Sequence, residues 1–282
     1  MGVLFAILAL GFLGSKIPSD ANIAARIEET IRAQLQPERV QVVVKRNSSL
    51  STTIERLEIT IVGFDADKLP LGTPASEKQA ASASVAKLAA SAVATPRRGR
   101  QVHIVEAHIR CERFLINALP VQSLDLQGQH LYIPWQAVRT GDFEISAAQQ
   151  VRGTLLLREQ DLTRYLRTMP ELPLTEPTLQ ILPTECRISG NTRTAVKMPI
   201  QLAGKLAVRD DAVLYLDHPR LRVSVVPVPS LVANRILRDI NPLADLNAEF
   251  DFPAPLTITN VTQQNGTLRF DATLRFPTPE NK

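Results

Sequence analysis

The chain has 282 residues, of which 44% are hydrophobic, 21% charged and 5% aromatic, so it is long enough to bury a sizeable, mainly aliphatic core. Its 32 Lys and Arg against 28 Asp and Glu give a net charge of +4, spread along the sequence. A charge this small and diffuse argues against nucleic-acid binding, although it suits an anionic membrane surface.

The N-terminus contains a targeting signal. Residues 3–13, VLFAILALGFL, form an apolar run that is shorter than the roughly 20 residues of a membrane-spanning helix but typical of a secretory signal. The first charged residue, Lys16, follows the run instead of preceding it, and no Cys follows closely enough to form a lipoprotein anchor. We predict that residues 1–16 are an export and membrane-anchoring segment, uncleaved or atypical, with a buried first helix as the alternative.

A helix, two strands and an insertion follow. Ser19 can cap a helix that ends before Pro37. Its apolar residues recur every four positions, at Ile23, Ile27, Ile31 and Leu35. Strand patterns occupy 40–45 and 54–62. Residues 68–100 contain mainly Ala, Ser, Pro and Lys, which predicts a disordered insertion that folding does not require.

Strand patterns dominate from residue 102 onward. The strand at 102–109 changes phase between Ile104 and Val105, which predicts a β-bulge. Further strands are predicted at 124–126, 130–133, 143–157, 179–189, 195–208, 212–216 and 220–226. Helices with apolar stripes are predicted at 161–169 and 230–240.

The sequence ends in a hairpin with strands at 256–261 and 267–276. The second strand spells TLRF twice, six residues apart, after the turn dipeptide Asn265-Gly266. Because side chains alternate between the faces of a strand, one face carries Leu268, Phe270, Ala272, Leu274 and Phe276. Long strands with two or three helices predict an α+β protein in which a curved sheet packs around the helices. We expect a single domain over residues 17–282.

Motifs for catalysis are absent from the sequence, and we predict a protein without enzyme activity, cofactor or metal. It has no nucleophile elbow, phosphate loop or dinucleotide fingerprint. His103 and His108 face opposite sides of their strand unless the bulge intervenes. The two cysteines, Cys111 and Cys186, lack the spacing of a zinc site, and they could be paired in a disulfide or remain two buried thiols.

Three stretches resemble the LmeA-like family of bacterial phospholipid-binding proteins. They are VRGTLLLREQDLTRYL at 151–166, MPIQLAGKLAVRDDAVLYL at 198–216 and ANRILRDINPLADL at 233–246. The chain departs from the family motif at Arg158, where the family usually has Ser or Thr at the entrance to a helix. That departure concerns the local helix cap.

The resemblance implies an exported, membrane-associated protein on the periplasmic or envelope side. Its long curved antiparallel sheet would wrap around two or three amphipathic helices and leave an elongated apolar cavity. Its function would be noncatalytic binding and transfer of a phospholipid or another lipid. The candidate lipid-contacting residues are Leu268, Phe270, Leu274, Phe276, Leu202, Leu206, Val208, Ile236 and Leu237. The alternative is an envelope structural protein that binds a protein partner through its sheet.

Overall fold

The computed structural model describes ten segments of the chain. They are residues 19–48, 53–66, 101–116, 118–134, 145–169, 172, 174–193, 197–223, 243–247 and 254–277. The predicted anchor at 1–16, the insertion at 68–100 and the helix at 230–240 lie outside them.

The described residues form two helices and thirteen strands. The helices are α1 (Asp20–Leu35) and α2 (Glu159–Thr168). The strands are β1 (Arg39–Arg46), β2 (Thr53–Val62), β3 (Asp65–Ala66), β4 (Gln101–Ile116), β5 (Leu119–Pro134), β6 (Gln150–Arg158), β7 (Leu174–Ile181), β8 (Cys186–Thr192), β9 (Pro199–Arg209), β10 (Val213–Val223), β11 (Ala244–Asp245), β12 (Leu256–Gln264) and β13 (Thr267–Leu274).

The strands form two sheets where the sequence predicted one. The first has the order β1-β2-β4-β5-β6-β13-β12, with β3 beside β4, and the second has the order β11-β10-β9-β8-β7. The two edge strands of the first sheet do not pair with each other, so it is open. The prediction of a wholly antiparallel sheet is also wrong, because β4 runs parallel to both β2 and β3.

Several predicted strand boundaries need correction. The strand at 179–189 is wrong, because residues 182–185 form a turn between β7 and β8. Conversely, residues 213–216 and 220–223 of two predicted segments belong to the single strand β10, whose pairing with β9 shifts between Asp217 and Arg220, and residues 224–226 lie outside the described residues. The segments at 124–126 and 130–133 likewise belong to β5, and β6 begins only at Gln150. The alternation of apolar and polar residues shows where the apolar positions change phase along the sequence. It does not show whether the strand stays paired with its neighbour across that point.

The phase change at Ile104 is present, but it is not a one-strand bulge. Ile104 pairs with Leu131 and Glu106 with Gln129, so the register of β4 against β5 is the same on both sides. Each strand takes up one extra residue here, and His130 adopts a left-handed backbone with φ of 50°. The buried positions of both strands therefore stay on one face.

Three apolar rows cross seven of the eight strands of the first sheet, all except β3, on its inner face. The pairing register aligns Val40, Ile61, Cys111, Leu124, Leu155, Phe270 and Val261 in the first row. The second row is Val42, Ile59, Ile109, Leu126, Gly153, Ala272 and Ile258, and the third is Val44, Leu57, Ala107, Gly128, Val151, Leu274 and Leu256. Because strand side chains alternate, the rows between them form an outer face that is mostly polar.

Helix α1 covers the β1 end of this sheet. Ser19 accepts a hydrogen bond from the Asn22 N–H at 3.2 Å, which confirms the predicted cap, and the predicted row of four aliphatic residues is buried. Two carboxylates of the helix also bind the free edge of β1. Glu28 accepts from the Val42 N–H at 3.0 Å, and Asp20 accepts from the Arg46 N–H at 3.1 Å.

Helix α2 lies along the edge strand β7 of the second sheet in the same manner. Glu159 accepts from the Ile181 N–H at 2.6 Å, and Thr163 Oγ1 accepts from the Leu179 N–H at 3.1 Å. One turn further on, Arg167 Nε donates to the carbonyl of Pro177, a residue without an N–H, at 3.3 Å. Arg158, the residue before α2, makes no side-chain cap hydrogen bond, as its departure from the family motif predicts.

The two sheets meet at the β12–β13 hairpin and share one apolar core. The Gly266 N–H, in the hairpin turn, donates to the Ile181 carbonyl at 3.0 Å. The Ile258 N–H donates to the carbonyl of Asp211, in the turn between β9 and β10, at 2.7 Å. The second sheet therefore covers part of the free edge of β12.

We predict a minimum length for the connection between β3 and β4. Ala66 pairs with Ile116, whereas β4 begins at Gln101. The chain must therefore return about 50 Å along the strand, which needs at least about 15 extended residues. Replacing residues 68–100 with a Gly/Ser linker of about 30 residues should preserve cooperative thermal unfolding, and a linker of about 8 should abolish it. Equal melting of the two variants would contradict the parallel pairing of β3 with β4.

We also predict that Glu159 is needed for its acceptor oxygen. Glu159→Ala should lower the free energy of unfolding by about 1–3 kcal/mol, because the Ile181 N–H loses its partner. Glu159→Gln keeps an acceptor and should retain most of the stability. Urea denaturation measures both, and an equal loss in the two variants would show that the charge matters instead of the hydrogen bond.

Candidate functional site

The first two apolar rows are only half-buried where they cross β5 and β6, in the middle of the first sheet. In the first two rows the residues on β2 and β4 are fully buried, with Ile59 at 1% exposure. Further along the rows, Leu124, Leu126 and Leu155 on β5 and β6 and Ala272 on β13 are partly accessible while packing against the same core. We call Leu124, Leu126, Leu155 and Ala272 the central strip. It is the part of this apolar face that leaves contact area for a ligand.

Small residues lie beside the central strip. Gly153 lies in the second row and Gly128 in the third. The side chain of Leu126 packs against Gly153, and that of Leu131 packs against Gly128. A Cβ atom added to Gly153 would lie 2.9 Å from Leu126 Cδ2, and one added to Gly128 would lie 3.1 Å from Leu131 Cδ1. The apolar cavity between these strands and Ile145 has a volume of about 10 Å³. That volume suits one water molecule at most, so an acyl chain requires the leucines to move.

Helix α2 lies beside two of the strands that contain the central strip, β5 and β6. It follows β6 directly and contacts β5, β6 and β7. None of its residues is fully buried, although Leu162 and Tyr165 pack against the core and Leu166 is half-buried. Its apolar residues are therefore less enclosed than the row on α1, and the predicted amphipathic stripe stays a prediction.

The predicted site residues divide into three groups. Fully buried are Leu268, Phe270, Leu274, Leu202 and Leu206. Val208 and Phe276 are half-buried against the core. The remaining two, Ile236 and Leu237, lie outside the described residues. The last strand thus does turn its repeated apolar residues inward, and a role of these residues in lipid contact stays a prediction.

Sequence reasoning missed the leucines of the central strip. Leu124 and Leu126 belong to a predicted strand of only three residues, which is too short to show which face is apolar. Leu155 lies in the unbroken run Leu155–Leu157, where alternation cannot tell the two faces apart. The available signal was Gly153 next to that run, because an isolated Gly in a strand marks a close approach by another group.

The outer face of the same strands has a polar groove of about 540 Å³. At its centre Asp271 accepts hydrogen bonds from Thr154 at 2.8 Å, Arg269 at 3.0 Å and Asn260 at 3.3 Å. Burial raises the pKa of Asp271, but these hydrogen bonds outweigh it, so the pKa lies below its ordinary value. The groove is unsuited to an acyl chain.

Three histidines of this outer face have polar side-chain partners. His103 Nε2 lies 3.1 Å from His130 Nδ1, and the His103 ring stacks on Tyr132 with centroids 4.5 Å apart. Burial and the neighbouring His130 lower the pKa of His103. His108 lies on the same outer face and contacts Asp125 at 2.9 Å. Across the described segments, no three His, Cys, Asp or Glu side chains are grouped closely enough to hold a metal ion.

Both cysteines are buried and unpaired, which decides between the two alternatives that the sequence left open. Burial raises the pKa of the Cys111 thiol to about 12 and also raises that of Cys186. Gln263 Nε2 donates to Cys186 Sγ at 2.9 Å. Neither thiol is therefore a nucleophile at neutral pH, because the thiolate is the reactive form.

The described part of the chain contains no helix that is both long and apolar enough to cross a membrane. Comparison with known families gives a match to a family described as LmeA-like phospholipid-binding, whose sequence model matches residues 75–273. This range covers more than half of the chain. No curated protein and no solved structure matches it.

We predict that Phe270 supports the wall of the site by close packing. Phe270→Ala should lower the free energy of unfolding by about 3–5 kcal/mol, because the ring is 4% exposed between Leu155 and Val261. Phe276→Ala, at a half-buried position of the same face, should cost less than about 2 kcal/mol. Urea denaturation gives both values, and a loss under about 1 kcal/mol for Phe270→Ala would show that the ring is not packed.

Proposed function

Because the chain belongs to the LmeA-like phospholipid-binding family, we propose that it binds a phospholipid or a related lipid in the bacterial cell envelope and transfers it without catalysing a reaction. The observation that carries this proposal is the central strip, a half-buried apolar surface in the same two rows whose residues on β2 and β4 are fully buried. An apolar surface of this kind binds acyl chains by removing them from water.

The proposed binding site is an elongated apolar slot between the inner face of the first sheet, helix α2 and the second sheet. The central strip would contact the acyl chain directly, together with Val208 and Phe276, because partly accessible side chains can exchange solvent for ligand. The fully buried residues of the predicted set would form the wall behind them. They are Leu268, Phe270, Leu274, Leu202 and Leu206. We include Ile236 and Leu237 on the strength of the family resemblance alone.

Burial of an acyl chain supplies the affinity. Each methylene removed from water contributes about 0.8 kcal/mol, so a chain of about sixteen carbons contributes on the order of 10 kcal/mol before entropy losses. Rearranging Leu126 and Leu131, which lean over Gly153 and Gly128, reduces that figure. The chemistry requires no charged side chain, and the described residues offer the chain none in the central strip.

We place the protein at a membrane on the envelope side. The apolar run at 3–13 supports this location, and a phospholipid as ligand requires access to a bilayer. The segment 1–16 would keep the lipid-binding domain close to the surface from which it takes its ligand.

The alternative, a structural protein that binds a partner by edge pairing, receives less support. Carboxylates of α1 occupy N–H groups on the edge of β1, and side chains of α2 occupy the edge of β7. A strand added at either edge would have to displace a helix.

The test compares two neighbouring leucines on opposite faces of β6. Leu155→Trp should reduce the uptake of a fluorescent phospholipid about tenfold and change the melting temperature by less than about 3 °C, because the ring occupies ligand volume. Leu156→Trp is the matched control, since Leu156 belongs to the outer face beside Ser123 and Arg269, and uptake should be unchanged.

Mass spectrometry of an organic extract of the purified protein should identify a copurified phospholipid. If no lipid is extracted and the wild-type protein takes up none, the proposed function is wrong. If lipid binds but both Trp variants behave alike, the function stands and the slot lies elsewhere.

A further inference from the structure

The second sheet has an outer face that is rich in basic residues. On β8, β9 and β10, every second residue points away from the core, and five of these are Arg187, Lys205, Arg209, Arg220 and Arg222. We call these five residues the basic face. Two acidic residues lie among them, Glu185 and Asp217. Over β8, β9, β10 and the turn before β8 this is a surplus of three positive charges, and a third acidic residue, Asp245 on β11, lies on the same face beside Val213.

The basic residues rise above a flat surface. The outward positions between them on β8 and β9 are small or neutral, namely Ser189, Gln201, Ala203 and Ala207. Arg187, Ala203 and Arg220 lie side by side on three adjacent strands, so the two arginines flank an alanine. Long, flexible basic side chains that project beyond small neighbouring residues can reach the phosphates of an extended, planar surface.

The acidic residues do not neutralise this surface evenly. Glu185 is held by Arg187 and Arg220, and a guanidinium has five N–H groups, so both arginines keep donors for a second partner. Asp217 contacts Arg209 at 3.4 Å, and the turn beyond Arg209 contains Asp210 and Asp211. The positive charge is therefore densest at the opposite end, near Arg220 and Arg222, and the exposed Lys197 lies two residues before the start of β9.

The same end of β10 is apolar on its inner side. From Arg220 to Val223 the strand alternates basic and apolar residues, with Arg220 and Arg222 outside and Leu221 and Val223 inside. Leu221 and Val223 are half-buried against the core that contains the central strip. The guanidinium groups and the partly accessible apolar side chains are therefore on opposite faces of the same four residues of β10.

We propose that the basic face docks the protein on an anionic phospholipid bilayer, with its Arg and Lys side chains contacting headgroup phosphates. Docking in this orientation brings the Arg220–Val223 end of β10 to the membrane, next to the apolar core. Its purpose rests on the lipid binding proposed above, but its physical basis is electrostatic and is tested separately. The aromatic side chain of Tyr215 on this face is covered by Arg209, which lies 5.0 Å from its ring centroid, and the positions beside it are small, so the face favours a bilayer over a nucleic acid whose bases need exposed rings for stacking.

The experiment measures cosedimentation of the full chain with vesicles of phosphatidylcholine, alone or with roughly 30 mol% phosphatidylglycerol. Each basic side chain near an anionic surface contributes about fivefold to partitioning, so the double variant Lys205→Gln/Arg222→Gln should bind the anionic vesicles about 25-fold more weakly. Raising the salt from about 0.1 M to about 1 M should remove the preference of the wild-type protein for anionic vesicles.

The matched control is Arg39→Gln/Lys45→Gln on β1, which removes the same charge from the other sheet. It should retain nearly all of the wild-type binding. Equal losses in the two double variants would overturn the proposal, because net charge and not this face would then control binding. A wild-type preference for a nucleic acid over anionic vesicles at equal phosphate concentration would overturn it as well.

Uptake of a fluorescent phospholipid delivered as detergent-solubilised monomers distinguishes this proposal from the proposed function. The Lys205→Gln/Arg222→Gln variant should take up lipid as the wild-type protein does, because no bilayer is involved. Failure of uptake in the wild-type protein would contradict the lipid-binding function and leave the docking result intact. Impaired uptake in the variant alone would overturn the proposal by placing these residues in the binding site.

Discussion

The architecture depends on a match between the rise of a helix and the rise of a strand. Four helical residues advance about 6.0 Å, and two strand residues advance about 6.6 Å, so side chains four apart on a helix can bond every second backbone group of a strand beside it. Helix α2 does this with Glu159, Thr163 and Arg167 along β7. Helix α1 does it with Asp20 and Glu28 along β1. These hydrogen bonds hold each helix alongside the edge strand of a sheet. They also satisfy backbone groups of that strand that could otherwise pair with a strand of another chain.

This arrangement explains why one region of the core is closed and another is half open. The row of aliphatic residues on α1 covers the β1 end of the apolar rows completely, because the helix is four turns long and buries Ile23, Ile27 and Ile31. Helix α2 is shorter and is bound to the second sheet, so it borders the middle of the first sheet without sealing it. A lipid-binding function is compatible with that difference, since a ligand has to displace loosely covered side chains and not a sealed core.

Sequence periodicity predicted the local structure well and the pairing poorly. The four-residue spacing from Ile23 to Leu35 located α1 and its Ser19 cap, and the alternation from Leu268 to Leu274 identified the buried face of β13. The parallel pair β2–β4 and the split into two sheets could not be predicted, because backbone hydrogen bonds leave no periodic trace in side-chain chemistry. The central strip was missed for a related reason. The consecutive leucines at 155–157 fit either face, and the neighbours that decide between them, Leu124 and Phe270, are distant in sequence.

The pairing of β6 with β13 has a consequence for biosynthesis. β6 ends at Arg158, and its partner β13 begins at Thr267, so the 108 residues from 159 to 266 must be made before β13 can pair with β6. At about 5–20 residues per second, ribosomal synthesis leaves that edge of β6 open for roughly 5 to 20 s, with the apolar rows of β4, β5 and β6 accessible to other nascent chains. A holding chaperone, or a delay of folding until the whole chain has been made, is therefore a requirement set by the strand order itself.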